Sequence, residues 1–241
     1  MVESPTRPRR STLRTGASLL LALALCAAGA IPAQAQAGKR PFGLPFRSPA
    51  GPSTWLLGQG YGNTTGAFNR RLEWYGAGQG IHFGIDFSAR CGTEVVSIGD
   101  GEVLYVDALW NGSAPHNLLI KHDNGYVVLY GHLLETPKLK VGQNVKRGEP
   151  IALTGDPDLT CTSRPHLHLE IRDAVSSRAF NPHNLIEADW DALALTGAFG
   201  RGYQRNLDNP RQWQSLYDQP DITFGGALIN EFARTYPQPW R

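Results

Sequence analysis

Two histidines separated by one residue, His166 and His168, are the first feature of this sequence that could carry out chemistry. They lie in residues 164–172, where leucine and isoleucine alternate with histidine, glutamate and arginine, the period-two pattern of a half-buried strand. Because side chains two apart on a strand share a face, both imidazoles should point the same way. Such a pair suits a metal ion with a proton-handling neighbour, although two solvated histidines on a surface strand would give the same pattern.

A histidine and an aspartate four residues apart, His82 and Asp86, form the second candidate. Gly80 and Gly84 argue against a helix here, so we expect a loop that enters a strand and brings both side chains to one point. An imidazole nitrogen and a carboxylate oxygen are ligand atoms that zinc accepts. The simpler alternative is an aspartate that hydrogen-bonds its neighbouring histidine within a turn.

Four further histidines remain in the chain. His132 follows the apolar run of residues 126–130 and therefore falls at a strand end. His116, His122 and His183 fit no ligand-like pattern, and we predict that they are structural or solvated. Only His132 joins the candidate site.

The elements that must position these side chains are short strands joined by tight turns. Two pairs of apolar runs flank turn signals and predict hairpins. The pairs are residues 95–98 with 103–106 around Asp100-Gly101, and residues 118–122 with 126–130 around Asp123-Asn124-Gly125. Residues 90–172 show no helical periodicity. Together with the hairpin signals, this predicts an antiparallel β architecture for the segment.

Composition divides the chain into four parts. Residues 1–37 combine arginines, an apolar run too short to span a bilayer and small-residue cleavage sites, and they predict an export signal. Residues 38–52 are rich in proline and glycine, as in a linker or an N-terminal arm. Residues 53–182 carry the strands. Residues 183–241 shift in composition and are predicted to form an extension that packs on the core.

The charge balance argues against a nucleic-acid partner. Four arginines and one glutamate lie within residues 1–37, so the remainder carries −1 of the formal net charge of +2. We find no basic patch in that remainder. No segment beyond the predicted signal is apolar enough to span a membrane.

Export also changes how the three cysteines are interpreted. Cys26 lies within the predicted signal, which leaves Cys91 and Cys161 as an even pair in an oxidising compartment. Disulfides persist in such compartments. We therefore predict a Cys91–Cys161 disulfide.

Three motifs occur in a fixed order with hairpins between them: His82-x-Gly-x-Asp86, Tyr130-Gly-His132-Leu, and His166-x-His168. Over about residues 80–182 this order resembles the lysostaphin-type zinc metallopeptidases, the peptidoglycan-cleaving endopeptidases. The resemblance implies an all-β fold with an antiparallel barrel-sandwich hybrid core (the duplicated hybrid motif), here with irregular N- and C-terminal extensions. It also makes residues 53–182 a zinc metallopeptidase domain.

The resemblance assigns a role to each candidate residue. His82, Asp86 and His168 match the ligands of one Zn²⁺ ion, and His132 and His166 match two catalytic histidines that do not bind the metal. Tyr75 matches a tyrosine that stabilises the transition state, although it lies one residue further from the first ligand than the family pattern expects. Arg164 stands where the family usually has glycine, which predicts an altered substrate groove.

Three functions are compatible with these features. The first is an exported endopeptidase, a monomer in the periplasm, cell envelope or medium, that hydrolyses peptidoglycan peptides. The second is a non-catalytic envelope regulator that activates another wall hydrolase, which the complete ligand set argues against. The third is a phosphocarrier domain, which the export signal and the His82/Asp86 motif argue against. The sequence leaves open whether glycine bridges or stem-peptide cross-links are cut, and which of His132 and His166 is the general base.

Overall fold

The structure is a computed structural model that describes residues 39–197, 203–205 and 213–230. The predicted export signal, residues 1–37, lies outside the described residues. Within the described part of the chain, no helix has the length and apolar character needed to cross a membrane.

Short strands dominate the described residues. The strands β1 to β13 are Trp55–Leu57, Ile85–Ala89, Glu94–Val96, Gly101–Val106, Leu118–His122, Tyr126–Gly131, Asn144–Val145, Pro150–Leu153, His166–Asp173, Arg178–Phe180, Tyr203–Arg205, Trp213–Ser215 and Ile222–Thr223. The α-helices α1 to α3 are Thr65–Asn69, Pro182–Leu185 and Trp190–Thr196. Single 3₁₀ turns cover Gly76–Gly78, Leu109–Asn111 and Leu216–Asp218.

One large antiparallel sheet organises these strands. Its order is β1-β2-β9-β6-β5-β4-β7, with β10 added beside β9 and β13 beside β10. The pairs β3–β8 and β11–β12 form two small separate sheets. The predicted all-β antiparallel fold is confirmed, and the main sheet stays open, because its end strands β1 and β7 do not pair with each other in the described residues.

Strand β9 lies near the middle of the sheet, and this explains its sequence. It pairs with β2 on one side and with β6 on the other. Leu167, Leu169 and Ile171 are fully buried on one face, against the main core. The histidines, Glu170 and Arg172 occupy the other face, so the period-two prediction for this segment is confirmed.

Of the two predicted hairpins, one forms and the other does not. Strands β5 and β6 pair across the turn at residues 123–125, as predicted. The prediction of a hairpin between residues 95–98 and 103–106 is wrong. Strand β3 pairs with β8, whereas β4 pairs with β5 and β7. At this turn the chain passes from one sheet to another, and its apolar flanks are buried by different partners.

Residues 39–52 lie against the core as an arm. Phe42 and Phe46 are buried, and the ring of Phe46 stacks on Trp55 with centroids 5.2 Å apart. The backbone N–H of Phe42 donates to Leu185 O, and that of Glu187 donates to Phe42 O. The arm therefore joins the first strand to the segment that follows the last strand of the predicted domain.

Candidate active site

The pairing of β2 with β9 brings the two separate sequence motifs together. In this ladder Asp86 lies opposite His168, and Ser88 lies opposite His166. His82 arrives from the loop before β2, where its backbone bridges to Gly62. Side chains of directly opposed residues are near neighbours on one sheet face, so the ladder alone positions Asp86 beside His168.

Three atoms from these residues form a compact cluster. Nε2 of His82 is 3.3 Å from Nδ1 of His168 and 3.3 Å from Oδ1 of Asp86. Oδ1 of Asp86 is 2.7 Å from Nδ1 of His168. Ligand atoms of a tetrahedral zinc ion with bonds of about 2.0–2.1 Å lie about 3.3 Å apart. Two of the three spacings equal this value, and the 2.7 Å between Asp86 and His168 is a hydrogen-bond distance. Two nitrogens and one carboxylate oxygen gathered at one point fit a zinc ion in their chemistry.

Two hydrogen bonds orient the histidine rings of this cluster. Nδ1 of His82 lies 2.8 Å from Gly60 O and donates to it, because a carbonyl only accepts, which leaves Nε2 with a free lone pair. Nε2 of His168 lies 3.1 Å from Oε1 of Glu170, so Nδ1 of that ring faces Asp86. Such outer partners fix the tautomer and orientation of metal-binding imidazoles.

Glu170 and Arg172 belong to the site as well, although neither was predicted as a site residue. Glu170 is fully buried, and its Oε2 accepts from Nε of Arg172 at 2.7 Å. Arg172 in turn donates through Nη2 to Asn111 O at 2.8 Å. The signal was available, because His166, His168, Glu170 and Arg172 follow one another at every second position of the strand.

Gly84, the central glycine of the His82/Asp86 motif, makes room for the His168 ring. A Cβ at this position would lie 2.5 Å from Cε1 of His168 and 2.8 Å from the backbone oxygen of Leu169. Contacts that short do not occur between real Cβ atoms and their neighbours. The motif therefore needs glycine for close approach between β9 and the start of β2.

His132 and His166 lie beside the cluster. Their ring centroids are 4.8 Å apart, and His132 is 5.7 Å from the His168 ring. His132 follows Gly131, which pairs with His168, and it has a positive φ of 55° that turns it out of the strand. Strained backbone of this kind often occurs at functional sites.

Both of these histidines use the same ring nitrogen, Nδ1, to bond to a backbone carbonyl. Nδ1 of His166 donates to Arg164 O at 2.7 Å, and Nδ1 of His132 donates to Ala114 O. A neutral ring has one protonated nitrogen, so Nε2 carries the lone pair in each. Nε2 of His166 lies 3.8 Å from Oδ1 of Asp86, and thus faces the candidate ligands.

Tyr75 also reaches the site despite its shifted spacing. Its ring centroid is 5.5 Å from that of His82, and its hydroxyl donates to Oε1 of Gln59 at 3.3 Å. Burial, together with the negative charge of Asp86, raises the pKa of Tyr75 to about 12. The phenol is therefore protonated near neutral pH and available as a hydrogen-bond donor.

The surroundings of His132 and His168 shift the pKa values of these two rings in opposite directions. Burial, helped by the nearby charges of His168 and His166, lowers the pKa of His132 to about 4. Burial alone would also lower the pKa of His168, but hydrogen bonds from its ring to Asp86 and Glu170 outweigh this and raise it to about 9. His132 is thus neutral at pH 7, and its unprotonated nitrogen is able to accept a proton.

The site opens into a cleft of about 1440 Å³. All six candidate residues line it, namely Tyr75, His82, Asp86, His132, His166 and His168. The other three histidines do not line it: His116 pairs with Asp107, and the buried rings of His122 and His183 hydrogen-bond to Asp100 O and Asn181. These positions agree with the structural roles predicted for them.

The predicted disulfide between Cys91 and Cys161 is confirmed. Cys91 follows β2, and Cys161 precedes β9. The bond therefore ties together the loops adjoining the two strands that carry Asp86 and His168.

Comparison with known proteins places this site in a family. Residues 80–182 match the model of peptidase family M23. The chain is 37% identical over 115 residues to a peptidoglycan DD-endopeptidase, ShyB, of Vibrio cholerae, covering 46% of this chain and 25% of ShyB. It is 33% identical over 111 residues to the murein hydrolase activator NlpD of Escherichia coli, covering 46% of this chain and 27% of NlpD.

Among solved structures, the catalytic domain of the antimicrobial peptidase lysostaphin from Staphylococcus simulans is similar. It shares 26% sequence identity with a TM-score of 0.43, over 54% of this chain and 90% of that domain. The chain spans only about a quarter of the length of the two curated relatives. The matched region, residues 80–182, contains the three ordered motifs. The chain therefore contains a domain of peptidase family M23, over residues 80–182.

Proposed function

We propose that this protein is an exported, zinc-dependent endopeptidase that hydrolyses peptide bonds in bacterial peptidoglycan. The observation that carries the proposal is the cluster of His82, Asp86 and His168 with two further histidines beside it in an open cleft. Similarity to a peptidoglycan DD-endopeptidase supports the choice of substrate class. The export signal in residues 1–37 and the Cys91–Cys161 disulfide support export.

In this proposal His82, Asp86 and His168 hold one zinc ion. Three protein ligands leave one coordination position for water or substrate, the arrangement of catalytic rather than structural zinc. When bound, zinc polarises the scissile carbonyl and lowers the pKa of a bound water towards about 7. Desolvation alone would raise the pKa of Asp86, but the charges and hydrogen bonds of His82, His166 and His168 outweigh it and hold that pKa well below its usual range, which favours the carboxylate form that binds a cation.

The remaining residues handle protons and orientation. A neutral histidine, with Nε2 of His132 or His166 directed to the site, takes the proton of the attacking water and returns it to the leaving amine. The protonated phenol of Tyr75 donates a hydrogen bond to the carbonyl oxygen as negative charge develops there. Both histidines are held by backbone carbonyls, so they reach this geometry without reorganisation.

The domain division belongs to the same proposal. Residues 1–37 act as the signal, residues 38–52 as an arm, residues 53–182 as the metallopeptidase domain and residues 183–241 as an extension on the core. The extension contributes to packing, since Trp190 is fully buried and Asn181 donates to Leu216 O at 2.8 Å. We propose a monomer.

A second candidate function is activation of another wall hydrolase, which the similarity to NlpD favours. An activator needs no complete ligand set and no histidines directed at it. The cluster therefore supports catalysis over activation.

Zinc content and hydrolysis, measured on the same preparations, test the proposal. We expect about one zinc per chain, and mass spectrometry should detect fragments released from purified peptidoglycan. Alanine at His82, Asp86 or His168 should abolish both zinc binding and hydrolysis. Alanine at His132 or His166 should leave zinc bound while hydrolysis falls by about 100- to 10,000-fold.

Three outcomes would contradict parts of this assignment. Zinc-loaded protein that releases no fragments, but stimulates a separate wall hydrolase, would favour the activator function. Loss of zinc from His166→Ala with retention in His168→Ala would reverse the roles of these two residues. Normal hydrolysis by all five variants would exclude the peptidase function.

A further inference from the structure

Two arginines continue the face of the sheet that carries the candidate active site. Asp86 lies opposite His168 and Ser88 lies opposite His166 in the β2–β9 ladder. The N–H of Ala89 then donates to Pro165 O at 3.3 Å, which extends the pairing one step further. Continuing this register by one more residue, beyond the ends of both strands, would set Arg90 opposite Arg164.

Period-two geometry places this pair on the active-site face. Along an extended chain every second side chain points to the same face. By this rule residue 90 shares the face of residues 86 and 88, and residue 164 shares the face of residues 166 and 168. Both arginines line the cleft that contains the candidate ligands. Four residues of extended chain separate Arg90 from Asp86, a span of about 13 Å.

Neither arginine is neutralised within the described part of the chain. Arg90 and Arg164 are exposed, and neither forms an ion pair with a described carboxylate, unlike Arg47, Arg70 and Arg178. Among the described residues that line the cleft, Asp86 is the only one with a carboxylate. Two guanidinium groups without a carboxylate partner in one cleft give this part of it a positive potential that attracts an anion.

Arg164 is held in place at both its main chain and its side chain. Its N–H donates to Oδ2 of Asp156 at 3.2 Å, and its carbonyl oxygen accepts from Nδ1 of His166 at 2.7 Å. Its guanidinium lies 4.9 Å from the ring centroid of the half-exposed Trp74. Stacking of this kind orients the planar guanidinium, whose fork matches a carboxylate.

We propose that Arg90 and Arg164 bind a free carboxylate of the substrate, no more than about four residues from the scissile bond. The substrate class is then an acidic wall peptide, such as a stem peptide, and not a bridge of uncharged glycines. This inference rests on the proposed function, because it names the substrate of the same site. Arg164 is a specificity residue in this assignment. This role explains why arginine stands at a position where the family usually has glycine.

The experiment compares two synthetic peptides that differ only in charge. Both contain the bond that mass spectrometry identifies in the peptidoglycan digest, and one carries its carboxylates free while the other has them amidated. We expect zinc-loaded wild-type protein to have a kcat/KM about 10- to 100-fold higher on the acidic peptide, the range of a hydrogen bond to a charged group.

Variants assign that preference to the two arginines. Arg90→Gln and Arg164→Gln should each lose most of the preference, so that the ratio of kcat/KM on the acidic peptide to kcat/KM on the amidated peptide falls towards one. Arg164→Lys should keep part of it, because the charge remains but the fork is lost. Arg178→Gln, at an exposed arginine on β10 paired with Asp221, is the matched control and should leave the preference unchanged.

Calorimetric titration of both peptides into the protein gives a second readout that does not depend on turnover. Tighter binding of the acidic peptide, weakened in both glutamine variants and by added salt, supports the inference. Equal binding and equal cleavage of the two peptides, or an unchanged preference in both variants, overturns it while the proposed function stands. A zinc-loaded protein that cleaves no wall peptide overturns the proposed function instead, and the titration then decides the inference alone.

Discussion

Nε2 of His168 lies 3.1 Å from Oε1 of Glu170, two residues further along β9. Glu170 is fully buried, and its other oxygen accepts from Nε of Arg172 at 2.7 Å. A carboxylate behind a metal-binding imidazole holds its orientation and raises its basicity. The strand therefore supplies a candidate zinc ligand and its support from consecutive positions on one face.

Replacement of Glu170 by glutamine should weaken zinc binding by about 10- to 100-fold, the usual effect of losing an outer-shell partner. The affinity is measured by competition with a chromophoric chelator, on protein whose fold is checked by circular dichroism. Glu102→Gln, at an exposed glutamate on β4, is the matched control and should leave the affinity unchanged. A Glu170→Gln protein that is folded and binds zinc as tightly as wild type would contradict this role.

Replacement of Gly84 by alanine should displace the His168 ring, because the added Cβ would meet Cε1 at 2.5 Å and the oxygen of Leu169 at 2.8 Å. Overpacking of this kind costs about 1–3 kcal/mol in the free energy of unfolding, and zinc binding should fall with it. Gly51→Ala is the control, since its Cβ would meet only Oγ1 of Thr54 at 3.6 Å. Chemical denaturation and zinc titration of both variants make the comparison; equal behaviour of the two would refute the close-approach explanation.

The stability of the protein should fall in mild acid through His183. This ring is fully buried, and its Nε2 has no hydrogen-bond partner among the described residues. Burial, helped by the charge of Arg40, lowers the pKa of His183 to about 3. An unfolded histidine has a pKa of about 6.5. Between these values the unfolded state binds a proton that the folded state does not, so the free energy of unfolding decreases as pH falls below about 6.5.

The size and the test of this effect follow from proton linkage. The free energy of unfolding changes by up to about 1.4 kcal/mol per pH unit when one proton is involved. The stability contributed by the neutral His183 ring is fully present above a pH of about 6.5. His183→Gln cannot take up that proton, so the difference in unfolding free energy between wild type and variant should be smaller at pH 5.0 than at pH 7.5. Guanidinium titrations at the two pH values measure it, and a difference independent of pH would argue against a neutral His183.

Removal of the disulfide by the double substitution Cys91→Ala and Cys161→Ala should destabilise the fold. The cysteines are 70 residues apart, and closing a loop of that length is worth about 4 kcal/mol in the chain-entropy description. Guanidinium denaturation of the double variant beside the oxidised wild type measures the loss. Reduced wild-type protein is the control and should match the double variant; a midpoint equal to that of the oxidised protein would mean that the bond contributes no stability.

Local sequence patterns are sufficient to identify the candidate residues and the elements that carry them. The alternation over residues 164–172 predicts a strand with His166 and His168 on one face, because a strand's period depends only on its own backbone. The glycines beside His82 and Asp86 argue against a helix, because glycine has a low helix propensity wherever it stands. The even pair Cys91 and Cys161 indicated a disulfide, the ordered motifs indicated a family, and both predictions were confirmed.

Which strands lie beside each other depends on contacts between segments that are distant in the sequence. The same local turn signals predicted one hairpin that forms and one that does not, because Val95 and Val96 are buried against β8, some fifty residues further along the chain. The pairing of Asp86 with His168 depends on contacts between segments about eighty residues apart. Sheet register arises from burial of both partners at once, a property that neither segment carries in its own sequence.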